Sequence, residues 1–284
     1  MQFYEVLGFR REPFSTSPDP AFFYRSQEHE DCLQRLEISI RLRRGLNVVL
    51  GDVGTGKTTL SRTLFQTIGS DDSIIFQMIL DPSFKSEFQM LTAMIEMYGI
   101  EPDGRSTLAY KDAVRDFLFE KGINEDKTIV LLIDEGQKLT PTYMEVLRNL
   151  LNFETNEYKL LQLVIMGQME LLPKIRRSRS FRDRIALSYV LNPLNREDAR
   201  NMIIFRLREA GHQDPESLFT EEALEEIYYS TQGYPRQLTT LCHNALVTMF
   251  TQNRKSVDRD IVVETVGKNA LALENPAKVK VEVR

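Results

Sequence analysis

The sequence predicts an α/β fold with a parallel sheet, followed by a smaller all-helical domain. Short apolar runs alternate with segments of helical periodicity up to about residue 191, a pattern typical of a parallel sheet with crossover helices. Pro193 follows the last apolar run, and every segment after it has helical patterning. We therefore place a domain boundary at about residue 193.

Five apolar runs are the predicted strands. They cover residues 46–50, 74–80, 129–133, 160–166 and 185–191, and the last of them follows an arginine-rich segment. Because the runs are apolar on both faces, we expect central strands that are covered by helices on either side.

The predicted helices lie between these strands and after them. In the first domain, helical patterning covers residues 58–68, 84–98, 108–121 and 143–153. In the second domain, helices are predicted at residues 196–210, 221–231, 235–250 and 257–271. Asn195 is a suitable N-cap for the helix that begins at residue 196, and Gly211 is a suitable stop.

The predicted organisation has four parts, namely an N-terminal extension (residues 1–24), an α/β domain (25–192), a helical lid (193–272) and a tail (273–284). The extension is rich in aromatic residues and too apolar for a disordered segment, so we expect it to pack on the core. The tail alternates charged and apolar residues from Lys278 to Arg284. It is either disordered or a strand that adds to the sheet edge of a partner.

Composition and charge limit the class of protein. The 284 residues carry a net charge of −5, which argues against a dedicated nucleic-acid coat protein but allows a local basic patch. The N-terminus has no apolar core of signal-peptide length, and no run is apolar enough for a membrane span, so we expect no membrane insertion. Cys32 and Cys242 lie far apart, which fits two buried thiols in a reducing cytoplasm.

The strongest motif is GDVGTGKT at residues 51–58, which matches the phosphate-binding pattern G-x-x-x-x-G-K-[ST] in full. It follows a predicted strand and opens a predicted helix, as this pattern requires. The glycines allow a tight turn, so that backbone N–H groups and the helix N-terminus face phosphate oxygens. Lys57 is expected to reach the β- and γ-phosphates, and the Thr58 hydroxyl is expected to bind Mg²⁺.

A second motif places two carboxylates, Asp134 and Glu135, directly after the apolar run at residues 129–133. Open α/β sheets bind their ligands at this end of the strands. Asp134 is expected to hold Mg²⁺, directly or through water, and Glu135 to polarise the attacking water as a general base. The paired acids favour ATP hydrolysis over switch-type GTPase chemistry, and the sequence has no N-K-x-D guanine-reading motif, so the predicted nucleotide is ATP.

Three further positions are candidates for the site. Gln168, after the next strand, either hydrogen-bonds the attacking water or the γ-phosphate, or begins a helix. Residues 175–184 contain five arginines, which suit a finger that acts in trans on a neighbour's nucleotide, a nucleic-acid contact or a solvated turn. Arg236 lies in the first turn of a predicted helix, where a cation is unfavourable unless an anion binds there; a surface arginine is the alternative.

With these motifs in place, the sequence resembles the AAA+ ATPases, and among them the ExeA type, that is, general secretion pathway protein A and its relatives. The resemblance covers most of the chain and rests on an ordered set of strings: Phe9 and Phe14 near the start, then GDVGTGKTTL, LLIDEGQ, IMGQMELL, FRDRI, LNPLNRED and QGYPRQL. It implies a P-loop NTPase core of the AAA+ type, with a helical lid domain.

The resemblance also implies roles for single residues. The matching positions are Lys57 and Thr58 for Walker A, Asp134 and Glu135 for Walker B, Gln168 for the first sensor, Arg184 or Arg182 for the arginine finger, and Arg236 for the second sensor. The complete set expected to bind the nucleotide is Gly51, Asp52, Val53, Gly54, Thr55, Gly56, Lys57, Thr58, Thr59, Asp134 and Arg236.

Two classes of function are implied by this resemblance. Relatives near secretion, pilus and envelope-assembly systems favour a protein partner, whereas the transposition ATPases of the TniB and TnsC kind share the core and bind DNA as ATP-dependent oligomers. We expect self-association into a hexameric ring or a helical filament, slow ATP hydrolysis and a protein partner, with DNA binding as the alternative. The membrane span and cell-wall-binding region of the full-length secretion proteins are not expected, and neither is a cell-wall role.

Overall fold

A computed structural model describes residues 3–17 and 19–268 of the chain. The predicted tail at residues 273–284 lies outside the described residues. By their contacts, the residues form two compact units. The α/β unit comprises residues 27–53 and 57–191, and the helical unit comprises the described residues up to 26, Gly54–Gly56 and residues 192–268.

The predicted strands and helices occur in the predicted order, and in the described part of the chain the structure adds four helices that the sequence does not predict. The strands are β1 (Leu46–Gly51), β2 (Ile74–Ile79), β3 (Thr128–Ile133), β4 (Leu161–Gly167) and β5 (Ile185–Leu191). The helices are α1 (Phe3–Val6), α2 (Gln27–Arg41), α3 (Lys57–Ile68), α4 (Glu87–Tyr98), α5 (Thr107–Phe119), α6 (Pro141–Leu150), α7 (Leu171–Arg177), α8 (Arg179–Arg182), α9 (Arg196–Glu209), α10 (Glu221–Thr231), α11 (Pro235–Thr251) and α12 (Arg259–Lys268). Short 3₁₀ turns cover Pro20–Phe22 and Gly136–Lys138, and a π-helical turn covers Glu120–Asn124.

The five strands described for the α/β unit form one parallel sheet in the order β2-β3-β4-β1-β5. This topology and the flanking helices confirm the predicted α/β fold class. Because all pairings are parallel, the carboxyl ends of β1, β3 and β4 lie at the same edge of the sheet. The phosphate-binding motif after β1 and the acidic motif after β3 therefore begin at the same edge of the sheet.

The expectation that all five strands are central is wrong for β2 and β5, which lie at the two edges of the sheet. Only β1, β3 and β4 are buried along their whole length, whereas alternate residues of β5, among them Val190, are exposed. One face of β5 is covered by α2, where the Tyr189 hydroxyl donates to the Glu28 carbonyl at 3.2 Å. An edge strand with one covered face needs apolar residues on that face only.

The helical unit has its own hydrophobic core, which is built from α9 to α12 and the aromatic N-terminal segment. Phe9, Phe14 and Phe22 are buried in it, and the ring of Phe14 packs edge-on against Phe219 at 6.1 Å. The Arg206 guanidinium, itself buried, donates to the Ser15 carbonyl at 2.8 Å. These contacts assign the segment to the helical unit, and the four-part division of the chain stays a prediction.

Several local predictions for the helical unit are confirmed. The Asn195 side chain caps α9 by accepting a hydrogen bond from the Asp198 N–H, and α10 has the predicted bounds. Cys32 in the α/β unit and Cys242 in the helical unit are both free and buried. Among the residues that the structure describes, no helix has both the length and the apolar character needed to cross a membrane.

Candidate functional site

The phosphate-binding motif forms the predicted loop between a strand and a helix. Strand β1 ends at Gly51 and α3 begins at Lys57. Between them, Gly54 and Gly56 have φ angles of 83° and 98°, in the left-handed region that favours glycine. The turn can form because the sequence supplies glycine at both points. Val53 is exposed on the loop and Thr55 is buried.

Lys57 is held at the start of α3 with its ammonium group turned towards the loop. Its side chain is 7% exposed, and Nζ donates to the carbonyl oxygens of Gly51 and Asp52 at 2.8 Å each. Burial lowers the pKa of the Lys57 ammonium, and the neighbouring carboxylates, above all that of Asp134, oppose this shift. The loop therefore holds a cation whose only described hydrogen-bond partners are neutral carbonyls.

Thr58 and Asp134 bring the two motifs into direct contact, although they are 76 residues apart in the chain. The Thr58 hydroxyl donates to Asp134 Oδ2 at 2.7 Å, while the Glu135 N–H donates to Asp134 Oδ1 at 2.8 Å. Asp134 is 2% exposed, so its carboxylate is fixed on both oxygens. A hydroxyl and a carboxylate are hard oxygen ligands, and few protein ligands suffice for Mg²⁺ beside phosphates and water. The Thr58 hydroxyl and the Asp134 carboxylate therefore have the chemistry that a Mg²⁺ site requires.

Glu135 follows directly, in a conformation unusual for a non-glycine residue. Its φ and ψ angles are 52° and 36°, in the left-handed region. The side chain is partly exposed, and Oε2 accepts a hydrogen bond of 2.6 Å from Nε2 of Gln137. Gly136 comes next and lies against β4, where an added Cβ would overlap the Ile165 side chain.

Gln168 stands at the end of β4, next to β3 in the sheet, as the sequence predicts. Its backbone N–H donates to Oε1 of Gln137 at 3.0 Å, so Gln137 joins the ends of the two strands. Gln137 is not among the site residues that the sequence predicts. Its position two residues after the catalytic candidate, within the string DEGQ, is the signal that could have pointed to it.

The remaining nucleotide-binding candidates lie at the loop and at the start of α11. Thr59 is partly exposed in the first turn of α3, and its carbonyl accepts a hydrogen bond from Thr63. Arg236 lies in the first turn of α11, directly after Pro235, as predicted. The Arg236 N–H donates to the Gly54 carbonyl at 3.2 Å, and both residues belong to the helical unit.

The arginine-rich segment forms α7, α8 and the turn before β5. Nη2 of Arg184 donates to Oδ1 of Asn152 at 2.6 Å, and Nη1 donates to the Ser180 carbonyl at 2.5 Å. Arg182 pairs with Asp183 at 3.5 Å, and its side chain is 51% exposed. The structure therefore gives Arg184 partners outside the set that joins Lys57, Thr58 and the two acids.

Comparison with known proteins agrees with this geometry. Residues 40–175 match the family model for the AAA domain. General secretion pathway protein A of Aeromonas hydrophila is 36% identical over 261 residues, which cover 90% of this chain and 47% of that protein. The chain thus spans about half the length of this relative. These matches show an AAA domain and a relationship to general secretion pathway protein A.

Solved structures show the same fold. Cdc6p from Pyrobaculum aerophilum superimposes with a TM-score of 0.70 at 19% identity, over 96% of this chain and 74% of that one. A chain of Drosophila ORC bound to DNA superimposes with a TM-score of 0.67 at 20% identity, over 98% and 68% of the two chains. The fold is that of an AAA+ P-loop NTPase.

Proposed function

We propose that this AAA+ protein, a relative of general secretion pathway protein A, binds ATP with Mg²⁺ and hydrolyses it slowly. The observation that carries the proposal is the 2.7 Å hydrogen bond between Thr58 and Asp134. It joins a complete phosphate-binding loop to a buried carboxylate, and the next residue is a second acid, Glu135. Slow means below about 1 s⁻¹, the lower end of common turnover numbers.

Each residue has a separate task in this proposal. The N–H groups of residues 51–59 and the Lys57 ammonium bind the phosphates, and Arg236 is a further nucleotide-binding residue. Thr58 and Asp134 would hold Mg²⁺, which neutralises charge on the transferred phosphoryl group. Glu135 accepts the proton of the attacking water. Gln168 hydrogen-bonds that water or the γ-phosphate.

Two variants separate binding from turnover. Lys57→Ala removes the cation that faces the phosphates, so ATP binding should be lost. Glu135→Gln retains size and hydrogen bonding but cannot accept a proton, so ATP should still bind while phosphate release stops. Equilibrium binding of a fluorescent ATP analogue and a phosphate-release assay measure the two effects. Equal loss of affinity in both variants would contradict the assigned roles.

We further propose that the active unit is a ring or a helical filament with ATP at subunit boundaries. Arg184 supports this, because its described partners, Asn152 and Ser180, lie outside the hydrogen-bonded set of its own site. An arginine supplied by the next subunit stabilises charge on the transferred phosphoryl group. Mixing Arg184→Ala subunits with Glu135→Gln subunits should restore some activity, because one boundary then holds both intact groups. Arg182→Ala, mixed in the same way, tests the alternative finger.

The relationship to general secretion pathway protein A favours a protein partner in a secretion, pilus or envelope-assembly system. We propose a cytoplasmic location, which the two free buried cysteines support. A pull-down with ATP-bound Glu135→Gln as bait, and Lys57→Ala as the matched control, should enrich the partner only in the ATP-bound form. Equal recovery with both baits would argue against a nucleotide-dependent partner.

DNA binding is the second candidate, because part of the arginine-rich segment is exposed to solvent. The Arg179 side chain is 87% exposed, and one of the similar folds belongs to a structure of Drosophila ORC bound to DNA. Fluorescence anisotropy with labelled duplex DNA, with and without a non-hydrolysable ATP analogue, tests this function. Nucleotide-dependent binding that weakens steeply with salt would favour a DNA-binding regulator of transposition. No binding at low salt in any nucleotide state would exclude it.

A further inference from the structure

Gln137 connects the proposed general base to the neighbouring strand. Its Nε2 donates to Glu135 Oε2 at 2.6 Å, and its Oε1 accepts from the Gln168 N–H at 3.0 Å. One amide side chain thus bridges the residue that follows β3 and the residue that follows β4. Both of these positions belong to the proposed hydrolysis site.

The orientation of this amide is determined by its partners. A backbone N–H can only donate, so the atom of Gln137 that faces Gln168 has to be the oxygen. The nitrogen then faces Glu135, where it meets a carboxylate oxygen that can only accept. Rotating the amide by 180° would place two donors together at one end and two acceptors at the other. The network therefore selects a single arrangement.

Packing brings Gln137 to this position. Gly136 lies so close to β4 that an added Cβ would overlap the Ile165 side chain. A Cβ on Gly167 would lie 3.2 Å from the backbone nitrogen of Gln137. Lys174 of α7 donates to the carbonyls of Gln137 and Leu139. The backbone of the turn is therefore held from two sides.

The turn does not need the Gln137 side chain to keep its shape. Its backbone is closed by hydrogen bonds from the Lys138 N–H to the Glu135 carbonyl at 2.9 Å and from the Leu139 N–H to the Gly136 carbonyl at 3.0 Å. The ammonium of Lys174 adds its two bonds to the same backbone. The side chain is thus available for a role at Glu135.

We infer that Gln137 is a positioning residue for ATP hydrolysis, which holds the Glu135 carboxylate in register with the end of β4. This inference rests on the proposed function. With Oε2 bound to Gln137, the other carboxylate oxygen remains to accept the proton of the attacking water. A carboxylate released from this bond samples other rotamers, and small displacements of a reacting group are costly.

The test uses Gln137→Ala and the volume-preserving Gln137→Met. We expect kcat for ATP to fall about 10- to 100-fold in both, the range for a misplaced catalytic group, while the affinity for ATPγS is unchanged. ADP–aluminium fluoride, which mimics the transferred phosphoryl group, should lose affinity by a similar factor. The second measurement needs no turnover and reports the alignment of the site.

Gln252→Ala is the matched control. Gln252 Nε2 donates to Glu264 Oε2 at 2.7 Å, so this variant removes the same kind of bond in the helical unit, and kcat should not change. Thermal unfolding of each variant checks folding, and Gln137→Met serves if the alanine variant unfolds.

Two results would overturn the inference while leaving the proposed function intact. One is a wild-type kcat in a folded Gln137→Met variant. The other is a higher kcat, which would mean that the bond restrains Glu135 instead of aligning it. A wild-type protein that hydrolyses no ATP, or whose hydrolysis survives Glu135→Gln, would instead refute the proposed function and the inference with it.

Discussion

Replacing Asp134 by asparagine tests whether this carboxylate holds the magnesium ion. The side chain is 2% exposed, and its two oxygens accept from the Thr58 hydroxyl at 2.7 Å and the Glu135 N–H at 2.8 Å. Asp134→Asn retains shape and removes only charge. Its effect on folding and its effect on the ion can therefore be predicted separately.

The effect on folding should be small. The asparagine oxygen can still accept from the Glu135 N–H, and its nitrogen can donate to the Thr58 oxygen, so neither partner is left without a hydrogen bond. The free energy of unfolding should change by about 1 kcal/mol or less, the net value of one hydrogen bond. Thermal unfolding without nucleotide measures this change.

The effect on the ion should be large. A buried carboxylate and a cation attract by about 2 to 4 kcal/mol at the effective dielectric constant of protein sites. A loss of that size raises the half-saturating Mg²⁺ concentration by about 30- to 700-fold, at about 1.4 kcal/mol per factor of ten. Titrating Mg²⁺ at a fixed concentration of a fluorescent ATP analogue measures this midpoint.

Asp112→Asn is the control for this experiment. Asp112 is a surface carboxylate that pairs with Arg115 at 2.7 Å, and its neutralisation should leave the Mg²⁺ midpoint unchanged. If folded Asp134→Asn has the wild-type midpoint, Asp134 does not hold the ion. The assignment of Thr58 and Asp134 as the metal site would then be wrong.

Three other predictions concern the fold. Arg43→Ala removes hydrogen bonds to Thr128 and two loop carbonyls, so urea unfolding should show a loss of about 2 to 4 kcal/mol, with exposed Arg44→Ala as control. Gly136→Ala inserts a methyl group against β4 and should lower the free energy of unfolding by about 1 to 3 kcal/mol in the same assay. Its control, Gly267→Ala in α12, has open space around the added methyl group and should raise the free energy of unfolding by about 0.5 to 1 kcal/mol. Burial raises the pKa of the Cys32 thiol to about 12 and raises the pKa of the Cys242 thiol above its ordinary value. Both thiols therefore stay protonated at pH 8, and a thiol reagent should label them only after denaturation.

The parts of the site that the sequence predicts are those that one continuous segment determines. The loop at residues 51–58 needs only a strand, its glycines and a helix start, all adjacent in the chain. Asp134 and Glu135 are found in the same way, because they stand directly after an apolar run. The contact between Asp134 and Thr58 follows from the parallel sheet, in which the carboxyl ends of the strands share an edge.

Predictions from apolar runs fail where the burial of a strand or helix depends on which other elements pack against it. The run at residues 185–191 is continuous enough to suggest a central strand, yet β5 is an edge strand with alternate residues exposed. Helix α2 is absent from the predicted elements, although Cys32, Leu36 and Ile40 stand four residues apart and are all buried. Its other residues are largely polar, which weakens the apolar signal.

Gln137 shows why a positioning residue is harder to find than a ligand-binding loop. Its role depends on how closely two strands approach, and that distance is set by the missing Cβ atoms of Gly136 and Gly167. In the sequence, these glycines are separated by a helix and a whole strand, and nothing in the sequence shows that the two lie close together. The hydrogen bond to Gln168 depends on the register of β3 and β4, which pairs Ile133, the last residue of β3, with Ile165, two residues before the end of β4. A role that depends on such a register is determined by the folded sheet, and therefore cannot be read from the residues around Gln137 in the chain.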